Sequence, residues 1–307
     1  MLLSGCFGGK ARSPRPEALL RAETTLNRGL RAEKKGDSLE AEKLLIQSLT
    51  LSTSLEDNPA RAAALINLAR LYRLQLDLPK AESCIDQALA LPEITPRFSA
   101  EAAYEKALVE LAKGRPSTAL EWAQKAIAAE HGSARGSRLN LAARIHLVQG
   151  SWGEADAFAG KALNENRSAG QAEEEANSLR TLGIVARHEK NYDRGAQLLR
   201  EALQIDKRIG KNGKIATDLG ELAVTARSAG KLSESAALLE RACEVNRAGG
   251  RLRQAKENQE ALADVYSALG EEHKAASARE TARKLAVQDA TDKPGSSSAT
   301  INPSSRP

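Results

Sequence analysis

Residues 176–210 read ANSLRTLGIVARHEKNYDRGAQLLREALQIDKRIG. Gly183, Gly195 and Ala202 stand in this stretch at spacings of twelve and seven residues. Leu179 and Leu182 fall beside the first of them at helical spacing, which makes an apolar stripe. Two antiparallel helices cross at short axial distance only where the facing side chains are small. The stretch therefore predicts helix, tight turn, helix. The same triplet recurs along the chain. Gly29, Ala69, Ala107, Ala143, Gly183, Ala223 and Ala263 form one column. Twelve residues on stand Ala41, Ala81, Ala119, Ala155, Gly195, Ser235 and Ala275, and seven further on Ser48, Ala88, Ala126, Ala162, Ala202, Ala242 and Ala282. The steps between units are 40, 38, 36, 40, 40 and 40 residues. Five residues before the middle column comes Gly36, Gly114, Gly150, Gly230 or Gly270, with Leu76 and Lys190 holding that place in the other two units. Glycine there allows the left-handed conformation that ends a first helix. A coiled coil would keep a 3.5-residue seam and would not need a glycine every forty residues.

This pattern resembles the tetratricopeptide repeat. Its signature of a Leu-small pair and two further small residues is matched by Leu68-Ala69, Ala81 and Ala88. It is matched again by Leu182-Gly183, Gly195 and Ala202, by Leu222-Ala223, Ser235 and Ala242, and by Leu262-Ala263, Ala275 and Ala282. Tyr72 and Tyr266 keep the family's aromatic. Arg28 and Lys106 replace the leucine in the first and third units. The usual repeat has 34 residues, so units of about 40 look like the long-helix subclass. The resemblance implies an all-α fold, a right-handed α-α superhelix (solenoid) of about seven repeats spanning 17–288. Repeat bounds fall near 22–58, 62–95, 100–133, 136–170, 176–210, 216–250 and 256–288, with 1–16 a linker and 289–307 a disordered tail.

Composition agrees. Of 307 residues, aromatic types make up 3%, which argues against a sandwich or barrel. The small columns leave little room for rings. A net charge of +5 permits acidic partners without indicating a nucleic-acid binder, and single-strand readers need the aromatic platforms that are scarce here. No run approaches 18 apolar residues.

Near the N-terminus, Leu3-Ser4-Gly5-Cys6 looks like the lipobox of bacterial lipoproteins, which implies lipidation of Cys6. A secretory signal needs about 7–15 apolar residues ahead of its cleavage site; only five residues precede Cys6. Phe7 in place of Asp implies sorting to the periplasmic face of the outer membrane. A cytoplasmic adaptor or regulator without lipid is the alternative. Cys84 and Cys243 lie four units apart and read as core filler, not as a disulfide.

No catalytic motif is visible, so a non-enzymatic role is expected. The four histidines make no ligand spacing, and neither metal nor cofactor is expected. In the tetratricopeptide family the first helix of each unit lines the concave groove. Its groove positions carry over here as Arg70, Arg73, Asn140, Arg144, Asn177, Arg180, Arg187 and Arg227, turning acidic at Glu257, Glu260 and Asp264. Arginine forks bind carboxylates bidentately, and asparagine can hold a peptide backbone. Two readings stand open. In one, an acidic extended segment of a partner protein lies along these side chains, with the chain acting as a scaffold in assembly of an envelope complex. In the other, the arginines pair with neighbouring glutamates of their own chain.

Overall fold

The computed structural model describes residues 16–291, which hold fourteen helices and no strand. They form two compact units divided between Gly132 and Ser133. Unit 1 contains α1 (Glu17–Lys34), α2 (Ser38–Ser54), α3 (Asn58–Leu74), α4 (Leu78–Leu89), α5 (Pro96–Ala112) and α6 (Pro116–Ala129). Unit 2 contains α7 (Arg135–Val148), α8 (Trp152–Ser168), α9 (Ala172–His188), α10 (Tyr192–Arg208), α11 (Asn212–Ser228), α12 (Leu232–Ala248), α13 (Leu252–Ala268) and α14 (Glu272–Thr291). These are the seven expected pairs. They start one to five residues ahead of the expected repeat bounds. At the far end α14 continues through Thr291, so residues 289–291 are helical where a tail was expected. Cys6 lies outside the described residues.

The small columns are the seam of each pair. All twenty-one positions are buried, so close crossing and not chance composition accounts for them. The crossing of α9 with α10 leaves no room for a side chain at Gly183. A Cβ added at Gly183 would stand 2.8 Å from Leu199 Cγ and 3.1 Å from the Gly195 carbonyl oxygen. Overpacking of that kind costs about 1–3 kcal/mol.

The turns inside the pairs follow one pattern. Gly36, Leu76, Gly114, Gly150, Lys190, Gly230 and Gly270 all take positive φ. The next residue's N–H then reaches back five residues, as in Asp37 N to the Ala32 oxygen at 3.0 Å and Asn191 N to the Ala186 oxygen at 2.9 Å. This is the Schellman closure, and it satisfies carbonyls that the helix end would orphan. Leu76 (64°) and Lys190 (63°) hold the conformation without glycine. Asp37, Asp77 and Asn191 then cap the following helix, each accepting from the N–H three residues on. A second set of left-handed residues, Glu56, Gly170, Gly210 and Gly250, turns the chain between pairs. These were not anticipated from the sequence.

Within each unit every helix packs on the next in order. The odd-numbered helices also touch one another, α1 on α3 and α3 on α5, α7 on α9 and α9 on α11. The odd layer is thus the tighter one and forms the inner face. No described helix is long and apolar enough to cross a membrane.

Candidate functional site

Most of the side chains expected on the inner face bond within the chain. In unit 1, Arg70 donates to the Glu33 carboxylate from Nε at 3.2 Å and Nη2 at 2.7 Å. Arg73 pairs with Glu105, whose carboxyl burial raises against the pull of Arg73. In unit 2, Arg187 Nη1 lies 2.6 Å from Glu221 Oε2. Asn140 is buried, with Nδ2 donating to the Glu174 carbonyl and carboxylate, both at 2.8 Å, and Oδ1 accepting from Ser178 Oγ at 2.7 Å. Asn177 Oδ1 accepts from Arg180 Nη1 at 2.7 Å and from Lys214 Nζ at 3.0 Å. Neither asparagine has its amide set for a peptide backbone. Arg144 and Arg227 are exposed. Beside them Val148 (61% exposed) and Val224 (46%) open the same face, with His188 between, its ring stacked 3.8 Å from Trp152.

Arg180 is the centre of a buried cluster. Its Nε donates to Asp218 Oδ1 and its Nη2 to Asp206 Oδ2, each at 2.6 Å, and both carboxylates are wholly buried. Asp206 closes α10, Asp218 lies on α11 and Arg180 on α9, so one guanidinium ties three helices together. Burial first, then the neighbouring Asp206, pushes the Asp218 carboxyl up to about 7 against the pull of Arg180. Burial, and then Arg180, lowers the Lys214 ammonium.

This cluster belongs to a polar column that sequence reading missed. Asn166, Asp206 and Asn246 end the second helices of three successive repeats, and Ser178, Asp218 and Asn258 stand on the first helices that follow. At the first junction Asn166 Nδ2 donates to Ser178 Oγ at 3.2 Å. Each set keeps a forty-residue spacing, so the signal was present. Unit 1 solves the same problem with Lys106, the replacement noted in the third repeat. Its Nζ lies 2.8 Å from Asp86, 3.2 Å from Glu82 and 3.4 Å from Glu110. Burial would lower its pKa, but the hydrogen bonds from Asp86 and Glu82 raise it.

The two cysteines among the described residues are free. Cys243 is buried against Ala255 and Leu285 and accepts from Gln259 Nε2 at 3.2 Å. Burial pushes the Cys84 thiol up to about 11, as suits core filler. Among the described residues no group of His, Cys, Asp and Glu could hold a metal ion. Among the described residues, cavities open between odd helices in both units. One, of about 560 Å³, lies among α1, α3 and α5 and is lined by Leu26, Ala60, Ala63 and Phe98. Another, of about 370 Å³, lies between α11 and α13 over Gly220 and Asn246.

The stacked helix pairs define a tetratricopeptide-type array. The tetratricopeptide repeat family model matches residues 20–93 and 174–248, so the chain carries such repeats in both units. Solved structures share the fold. A Rap protein complexed with Competence and Sporulation Factor superposes with a TM-score of 0.68 at 15% identity, covering 88% of this chain and 77% of that one. A signal-transduction ATPase with numerous domains and a tetratricopeptide repeat sensor, from Pyrococcus horikoshii, gives 0.68 at 17% identity, over 88% of this chain and 43% of that one. NprR in complex with its cognate peptide NprX gives 0.62 at 14%, over 88% and 79%. No curated protein matches the chain in sequence.

Proposed function

We propose that this protein is a non-enzymatic scaffold that binds an extended acidic segment of a partner protein along the inner face of its odd helices. The observation that carries this reading is a set of exposed side chains on that face: Val148, Val224 and Arg227, with Arg144 beside them, reach solvent, whereas Arg180 and Asn140 are buried. Apolar side chains alternating with arginine suit a peptide that carries acidic and aliphatic residues. Rap and NprR, solved with a bound factor and a cognate peptide, support a binding role on this fold.

The test is a fluorescence anisotropy titration with a labelled twelve-residue peptide of alternating Glu and Leu. Arg144→Glu with Arg227→Glu leaves the buried pairs of Arg180 and the half-buried pair of Arg187 in place. Binding that weakens at least tenfold in this double variant, and with rising salt, supports the groove. Equal binding overturns it.

The membrane half of the proposal rests on Leu3-Ser4-Gly5-Cys6. Lipid on Cys6 would tether the array to the periplasmic face of the outer membrane, where it would serve assembly of an envelope complex. Metabolic labelling with palmitate reads this out. Label that Cys6→Ala removes supports the anchor, and an unlabelled chain favours the cytoplasmic adaptor.

A further inference from the structure

The cavity between α11 and α13 is the site of the Arg180 cluster displaced by one repeat. Forty residues beyond Arg180, Asp206 and Asp218 stand Gly220, Asn246 and Asn258, and all three line the cavity. Asn177 and Lys214 become Thr217 and Gln254, which also line it. In the fifth repeat a guanidinium fills this space. In the sixth the side chain is gone and the space is open.

Gly220 has no packing reason to be glycine. A Cβ there would meet nothing within 4 Å, whereas one at Gly183 would clash. A glycine inside a helix costs about 1 kcal/mol relative to alanine. Here that cost leaves open the cavity and bares the helix backbone beneath it. The floor offers donors without partners. Asn246 is 4% exposed; its Oδ1 accepts from Arg251 Nε at 2.8 Å, and no hydrogen bond holds its Nδ2 among the described residues. Asn258 Nδ2 is buried without a partner. Arg251 also donates from Nη2 to the Val245 carbonyl at 2.9 Å, yet no carboxylate pairs with it among the described residues. The acids at the rim are already engaged, Glu221 by Arg187 at 2.6 Å and Glu257 by Arg253 at 3.3 Å. The unused capacity is therefore two amide donors and one partly buried positive charge. Its complement is an anionic acceptor short enough to enter from the inner face.

We infer that this cavity is a specificity pocket for one carboxylate side chain, Glu or Asp, of the bound segment. The inference deepens the proposed function and rests on it for the source of the carboxylate. The carboxylate supplies from outside the charge partner that Arg251 lacks, while Asn246 and Asn258 donate to its oxygens. Charge-assisted bonds of this kind are about twice as strong as neutral ones.

The experiment titrates the full chain with acetyl-Ala-Glu-Ala-amide, and separately with the Gln and Lys versions. The ¹⁵N side-chain amides of Asn246 and Asn258 serve as NMR reporters. The expected result is saturable millimolar binding of the Glu peptide, at least tenfold weaker binding of the Gln peptide, and loss of binding in Gly220→Leu. Equal response to Glu and Gln, preference for Lys, or binding that survives Gly220→Leu overturns the pocket. The twelve-residue acidic peptide separates the two proposals. If it binds through Arg144 and Arg227 while the tripeptide does not bind, the groove stands and the pocket falls. If the tripeptide alone binds, the pocket stands and the groove falls.

Discussion

Two neighbouring junctions of unit 2 start from the same repeat and end in opposite states. At the α10–α11 junction Arg180 reaches between Asp206 and Asp218 and closes the inner face. One repeat on, Gly220, Asn246 and Asn258 leave a cavity of about 370 Å³ in the same place. The three substitutions agree with one another. Removing the arginine alone would strand two buried carboxylates; here both acids have become amides, which can stay neutral without it. A repeat fold can in this way make a binding site by leaving out a strut and neutralising its sockets.

The sharpest way to break the comparison is Arg180→Ala. It leaves Asp206 and Asp218 buried without their shared cation, and removing one partner of a buried pair costs about 3–5 kcal/mol. Urea denaturation followed by circular dichroism reads this out as a large loss of stability. A loss below about 1 kcal/mol, the range of exposed pairs, would mean that the cluster is not a strut.

The pH dependence should be the next largest effect. The Asp218 carboxyl sits near 7 in the folded chain and near its ordinary value of 3.8 in the unfolded one. Between those values the folded chain holds a proton that the unfolded chain has lost. The cluster's contribution to stability is therefore fully present below about pH 4 and falls as pH rises toward 7. Asp218→Asn fixes the neutral form, so the difference between wild type and variant should shift in the variant's favour across that window. A difference that stays flat from pH 4 to 7 would show that Asp218 titrates normally.

Two glycines sharpen the contrast further. Gly183→Ala should destabilise by about 1–3 kcal/mol, because its Cβ would press on Leu199 and the Gly195 backbone. Gly220→Ala should do the reverse and stabilise by about 0.5–1 kcal/mol, since only helix propensity changes. Thermal melts of the two single variants compare the signs directly. A destabilising Gly220→Ala would mean that this glycine serves packing after all.

The fold was legible because close helix crossing leaves a mark in composition. Only Gly, Ala or Ser fits at the seam, and the mark repeats every 36 to 40 residues. The turns at Leu76 and Lys190 could be placed by phase alone, although nothing in their side chains suggests a positive φ. The site was less legible for a physical reason. Spacing tells which face of a helix Arg180 or Arg187 occupies. It does not tell which carboxylate, 26, 34 or 38 residues away, waits on the neighbouring helix. Arg144 and Arg180 look alike in sequence because both hold groove positions, yet one is exposed and the other is buried under three hydrogen bonds. The polar column of Asn166, Asp206 and Asn246 was visible at its forty-residue spacing. Its meaning depends on burial, which periodicity alone does not supply.

The relation between the two junctions can be tested by rebuilding one as the other. Arg180→Ala is to be compared, by urea denaturation at pH 7, with the triple variant Arg180→Ala, Asp206→Asn and Asp218→Asn. The equivalence predicts that the triple variant regains most of the stability lost in the single one, because its sockets then match those of Asn246 and Asn258. A triple variant as unstable as Arg180→Ala alone would contradict it.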